Sequence, residues 1–181
     1  MRIISGTLKG RRITAPKKLP VRPTTDRAKE ALFNILMHRF DLGEISVLDL
    51  FSGTGNISYE FASRGVGDIL AVDQNRHCTL FIQDTAAQLD IPIKVVQADV
   101  FQFLTSPYRK FDIIFADPPY DLEASIFEKL IADVISNDWL AEDGQLIVEH
   151  SKQYSFTELP ACDEERLYGS NKFSFFKALK K

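Results

Sequence analysis

Residues 45–55 read Ile-Ser-Val-Leu-Asp-Leu-Phe-Ser-Gly-Thr-Gly, a short apolar run that breaks on a glycine-containing turn. The run predicts a strand over 45–50. Gly53 and Gly55 permit a tight turn with close backbone approach to a ligand, and the residues beyond predict a helix over 55–64. The same unit recurs along the chain. Strands are predicted over 68–73 (DILAVD), 93–97 (IKVVQ), 111–116 (FDIIFA) and 144–149 (GQLIVE), with helices over 75–89, 99–105 and 123–136. These strands are continuous and rich in Val, Ile and Leu, as parallel strands covered on both faces are. Two further strands, 164–168 and 173–179, flank GSNK and read as an antiparallel pair. The expectation is an α/β fold, a doubly wound, mostly parallel, seven-stranded Rossmann-like sheet.

Upstream, RIISGTLKGRRIT (2–14) reads as two short strands around Gly6 and Gly10, and 15–23 as an extended loop rich in Pro and Lys. Thr24, Thr25 and Asp26 are cap residues for a helix over 26–39, where Ala28, Ala31, Leu32, Ile35 and Leu36 recur at helical spacing. Residues 1–40 thus form a basic hairpin-and-helix arm within the same globular unit, and 41–181 the larger domain. The arm holds ten Lys and Arg against Asp26 and Glu30, a net charge of +8; the rest holds 12 basic and 23 acidic residues, a net of −11. A basic arm on an acidic body suits contact with a polyanion, or is a solvated tail. The Gly, Pro and ordered motif in the arm argue against a transit peptide.

The chain has 181 residues, enough to bury a core without staples. Its two cysteines, Cys78 and Cys162, form no CxxC pattern; they indicate neither a metal site nor a disulfide framework and fit a reducing cytoplasm. No apolar run approaches the roughly 20 residues of a membrane span.

In a doubly wound sheet, ligands bind beyond the carboxyl ends of the strands, where four motifs fall in register. Asp49-Leu50-Phe51-Ser52-Gly53-Thr54-Gly55 is a strand-to-helix turn whose helix N-terminus favours an anionic group. Asp73, 24 residues after Asp49, either accepts two ribose hydroxyls or caps the next helix. Asp99 either accepts from an adenine amino group or caps the helix starting near Val100. Asp117-Pro118-Pro119-Tyr120 ends a buried strand on two residues of fixed φ, with a flat ring beyond. Glu149 and His150 end a strand near the same edge, and His150 reads as an ordinary strand-end histidine.

In this order the motifs resemble the class I methyltransferase fold, which uses S-adenosylmethionine. DLFSGTG resembles its glycine motif and DPPY the [DN]PP[YF] motif of enzymes that methylate exocyclic amines. RIISGTLKGRRI is similar to the RIIGGxxRGRxL arm, and VRPTTDRAKEALFNIL to the LRPTTDRxREALFNxL segment, of the RsmD family. Ser5, Asn56 and Asn75 depart from its usual residues.

The resemblance implies transfer of a methyl group to the 2-amino group of a guanine in 16S rRNA, guanine 966 in the usual numbering. It implies cofactor contacts from Asp49, Phe51, Gly53, Gly55, Asp73, Asp99 and Val100. Asp117 and the Pro118 carbonyl would accept the amino N–H groups, with Pro119 rigid behind them and Tyr120 stacked on a flipped base. Arg2, Lys9, Arg11, Arg12 and Arg22 would meet phosphates, with Thr24, Thr25 and Arg27 bordering the site. No metal is implied; the partner is 16S rRNA, in the 30S subunit or an assembly intermediate, and the protein a cytoplasmic monomer. The competing readings are a DNA-adenine or protein-glutamine amino-methyltransferase and a non-catalytic RNA-binding protein. The first group usually carries Asn where this chain has Asp117.

Overall fold

The computed structural model describes residues 1–16, 19, 24–119 and 122–178. The order is α1 (Asp26–Arg39), β1 (Ser46–Leu50), α2 (Asn56–Ser63), β2 (Asp68–Asp73), α3 (Arg76–Leu89), β3 (Ile93–Gln97), α4 (Val100–Phe103), β4 (Phe111–Ala116), α5 (Ala124–Ser136), β5 (Leu140–Ser151), β6 (Cys162–Tyr168) and β7 (Asn171–Lys177). The strands form one seven-stranded sheet in the order β3-β2-β1-β4-β5-β7-β6. β1 to β5 pair in parallel, and β7 runs antiparallel to both β5 and β6. Chain order reverses between β1 and β4, which opens a crevice at their carboxyl ends.

Strand alternation divides the core between the two faces. Leu48, Leu50, Leu70, Val72, Ile114, Ala116, Leu146 and Val148 pack with Phe127, Leu130, Ile131 and Val134 of α5. Val47, Ile69, Ile113, Phe115, Ile147 and Phe173 pack with Leu32 and Phe33 of α1 and Phe61 of α2. β5 starts earlier than predicted. Its first residues pair irregularly, Leu140 with Phe111 and then Gln145 with Ile113, and that slip lengthens it to 12 residues.

The amino-terminal hairpin is shorter than the two strands expected. Its ladder is one bridge, Arg2 to Arg12, with the Ile3 amide donating to the Arg11 carbonyl at 3.0 Å. The intervening backbone bonds to α2 instead. The amides of Ile4 and Ser5 donate to the Glu60 carboxylate at 2.9 and 3.1 Å, and that of Leu8 to Ser63 Oγ at 2.9 Å. A Cβ on Gly6 would lie 1.8 Å from the Ser63 carbonyl oxygen, so only glycine allows this approach. Ile3 and Ile13 are buried with Tyr59, Ala71 and Ile82. The arm is thereby part of the core.

Candidate active site

A cavity of about 610 Å³ opens at the β1–β4 crevice, within the usual size range of small-molecule sites. The turn after β1 forms one wall. Phe51 takes a left-handed φ of 56°, as do Gly53 at 52° and Gly55 at 82°. For a β-carbon-bearing residue this conformation costs on the order of 1–2 kcal/mol, and the turn is held against it from across the sheet. Asp73 accepts the Gly53 amide on Oδ2 and the Asn75 amide on Oδ1, both at 2.8 Å. Asp73 is therefore the clasp between two loops. The cap of α3 is Asn75, which accepts from the amides of His77 and Cys78. Asp99 caps α4, accepting the Gln102 amide at 3.0 Å, and also lines the cavity. Both alternatives for Asp99 are compatible, because a carboxylate has further lone pairs.

Asp49 is buried under the turn and accepts the Ser58 hydroxyl at 2.5 Å. Burial, with Asp73 nearby, pushes its carboxyl up to about 7 against the pull of Ser58. Asp117 follows β4. Burial, then the Glu149 and Asp49 charges, hold its carboxyl well above the ordinary carboxylate range. Its Oδ1 is buried without a hydrogen-bond partner among the described residues. Buried polar atoms are nearly always paired, and an exception calls for a specific role or a bound partner. Pro118 is buried and Pro119 exposed, and both line the cavity.

The lining is rich in oxygen acceptors and suits a cationic or hydrogen-bond-donating ligand. Asp49, Asp73, Asp99 and Asp117 line the cavity, with no Lys or Arg among its described lining residues. The sulfonium and ammonium groups of S-adenosylmethionine fit such walls, which include Gly53, whereas Gly55 packs on the core side of the turn. A Cβ on Gly55 would come within 2.9 Å of the Tyr59 ring.

Two further residues line the cavity, Cys78 without a sequence motif and Thr24 from the RPTTDR segment expected to border the site. Cys78 lines the cavity, but burial pushes its thiol up to about 11, so it is not a ready nucleophile near neutral pH. Thr24, which precedes α1, lines the cavity as well and donates its hydroxyl to Glu149 Oε2 at 2.8 Å. Glu149 also accepts Asn171 Nδ2 at 2.6 Å. His150 is buried away from the cavity against Ser174 Oγ, at 2.7 Å, and burial lowers its pKa.

The arm's charges divide into two groups. Lys29 is buried, donating to the Arg2 carbonyl at 2.6 Å and lying 3.3 Å from Glu60. Arg2 pairs with Asp26, and Arg39 with Glu164. Lys9, Arg11, Arg12 and Arg27 are exposed and form no ion pair among the described residues. Thr25 is spent as the cap of α1, accepting the Ala28 amide at 3.3 Å. Tyr120 and Arg22 lie outside the described residues.

The family model described as "Conserved hypothetical protein 95" matches residues 1–177. The chain is 31% identical over 150 residues to a Buchnera aphidicola protein named ribosomal RNA small subunit methyltransferase D, covering 82% of this chain and 75% of that one. The chain belongs to the RsmD family. The solved structure of yhhF from Escherichia coli superposes on this RsmD-family chain with a TM-score of 0.84, at 28% identity and over 97% and 96% of the two chains. A ribosomal protein L11 methylase from Lactobacillus delbrueckii shares the fold at a TM-score of 0.65 and 20% identity, over 86% and 80%. The sheet order and these neighbours make it a class I methyltransferase fold.

Proposed function

We propose that this protein transfers a methyl group from S-adenosylmethionine to the 2-amino group of a guanine in 16S rRNA, of the guanine 966 type. The observation that carries the reading is the partnerless, buried Asp117 Oδ1 in an acid-lined cavity at the end of β4. A relative named for methylation of small-subunit rRNA supports the choice of substrate. When bound, S-adenosylmethionine supplies an electrophilic methyl group. In this reading Asp73 holds its ribose, Asp99 and Val100 its adenine, and Asp49, Phe51, Gly53 and Gly55 its remaining edge. An exocyclic guanine nitrogen is a poor nucleophile, because its lone pair is shared with the ring. Asp117 Oδ1 accepts one of its N–H bonds and the Pro118 carbonyl another. That orients the lone pair toward the methyl carbon and opposes its delocalisation. In this reading Lys9, Arg11, Arg12 and Arg27 meet phosphates of rRNA, in a 30S subunit or an assembly intermediate, with the enzyme a cytoplasmic monomer.

The test is methyl transfer to rRNA from cells lacking this enzyme, with the product nucleoside identified by mass spectrometry. N2-methylguanosine is the expected product, and methyladenosine or no product overturns the reading. Asp117→Ala should lower turnover by roughly 10²–10³, the usual loss when one preorganised transition-state contact is removed, while S-adenosylmethionine affinity by calorimetry changes little.

A further inference from the structure

Four buried polar groups from four elements converge on Thr24. Lys29 Nζ, on α1, donates to Asn56 Oδ1 at 2.9 Å. An ammonium only donates, so this bond fixes the orientation of the Asn56 amide and turns Nδ2 outward. Asn56 Nδ2, at the start of α2, then donates to the Thr24 carbonyl at 3.2 Å. Glu149, on β5, accepts the Thr24 hydroxyl, and Asn171, on β7, holds the other Glu149 oxygen. Thr24 is thus pinned at its carbonyl and at its hydroxyl while lining the cavity that Asp117 also lines.

Strand register explains the placement. Ala116 pairs with Val148, so the next residues, Asp117 and Glu149, stand side by side, the first just past β4 and the second within β5. By alternation both fall on the face that carries α1. A hydroxyl has one proton, and here it lies on Glu149. What Thr24 Oγ1 retains for a ligand is lone pairs. Near it, the Asp117 carboxyl, with Oδ1 unpartnered among the described residues, retains an accepting oxygen whether or not it carries a proton.

We infer that Thr24, held as an acceptor by Glu149, is the base-specificity determinant of this site, accepting the ring N1–H of guanine while Asp117 accepts the adjacent amino group. The inference rests on the reading of the site as a base-amine methyltransferase. Adenine and cytosine each place a bare ring nitrogen, an acceptor, next to the exocyclic amine. Against Thr24 Oγ1 that nitrogen meets lone pairs, whereas guanine offers an N–H. Glu149 is a positioning residue, acting on the base through Thr24.

The test uses 16S rRNA in which the guanine methylated by the wild-type enzyme is replaced, by oligonucleotide ligation, with 2-aminopurine. This base keeps the 2-amino group but presents N1 as an acceptor. The wild-type protein should favour guanine in kcat/KM by roughly 10- to 100-fold, the range for a polar group left unpaired in a closed site. Thr24→Val and Glu149→Gln should each reduce that preference to within about threefold, and Thr24→Ser, which keeps the hydroxyl, should restore it. If the preference persists in Thr24→Val while activity on both bases falls together, Thr24 is structural and the inference is overturned. If the wild-type protein does not methylate the guanine RNA at all, the reading of the site fails first and the inference with it.

Discussion

The arm and the cavity are built on opposite electrostatic terms. The arm contributes its buried cation, Lys29, to a network in which every partner is satisfied: Glu60, Asn56 and the Arg2 carbonyl. The cavity gathers Asp49, Asp73, Asp99 and Asp117 and leaves Asp117 Oδ1 without a partner. The contrast teaches that the net +8 of residues 1–40 is not all available to RNA. Lys29 and Arg39 are committed to internal ion pairs and Arg2 to Asp26. Of the seven described cations of the arm, four are left exposed and outside ion pairs among the described residues.

That contrast can be broken at the arm. Lys29→Met should destabilise the fold by roughly 3–5 kcal/mol, the usual result of breaking a buried ion pair from one side, read as a lower urea midpoint at unchanged m-value. A negligible change would mean that the arm is not anchored through this lysine. Deleting the arm outright would strip Ile3 and Ile13 from the core, so its RNA role is better tested by exposed side chains.

The cavity should respond with the opposite sign. The native Asp49 carboxyl keeps its proton up to about 7, against 3.8 for an unperturbed group. Between those values the native state binds more protons than the unfolded state, so stability falls as pH rises through that window. Asp49→Asn removes the slope. Its advantage over wild type should grow from pH 4 to pH 7, to at most about 4 kcal/mol, and then level off. Thermal melts across pH measure it; a parallel loss of S-adenosylmethionine affinity would identify the burial as a cost of function. A flat difference across pH would show that Asp49 is already ionised near pH 4.

Asp73→Ala sharpens the description of the cavity. It removes the clasp on the Gly53 and Asn75 amides and the ribose acceptor, and should weaken S-adenosylmethionine binding by roughly 10- to 100-fold, the scale of one charge-assisted hydrogen bond. Unchanged affinity by calorimetry would remove Asp73 from the cofactor site. The smallest effect belongs to the outer arm. Arg11→Ala with Arg12→Ala should flatten the slope of log RNA affinity against log salt by about 1–2 and leave cofactor affinity alone. A slope unchanged in the double variant would place the RNA elsewhere.

The sequence determined the alternation of elements by itself. Apolar runs of five or six residues followed by helical periods specify a parallel sheet, because such strands are stable only when covered on both faces. β2, β3 and β4 occupy the residues predicted for them. It also located Asp49, Asp73, Asp99 and Asp117, since a strand ending on an acid or a glycine turn is a local feature that the sheet brings to one edge.

Only the tertiary structure decided the rest. That the arm's backbone pairs with α2 depends on Glu60 and Ser63, more than 50 residues away. That Thr24 stands over Glu149 depends on a contact spanning 125 residues, and Asn171 joins them from an antiparallel strand with no motif at all. Glu149 had one faint signal, an acid at the end of a buried apolar strand. Local propensity and periodicity report what a residue prefers among its chain neighbours. Which buried donor meets which buried acceptor is settled only when the sheet is assembled and each desolvated group must find a partner.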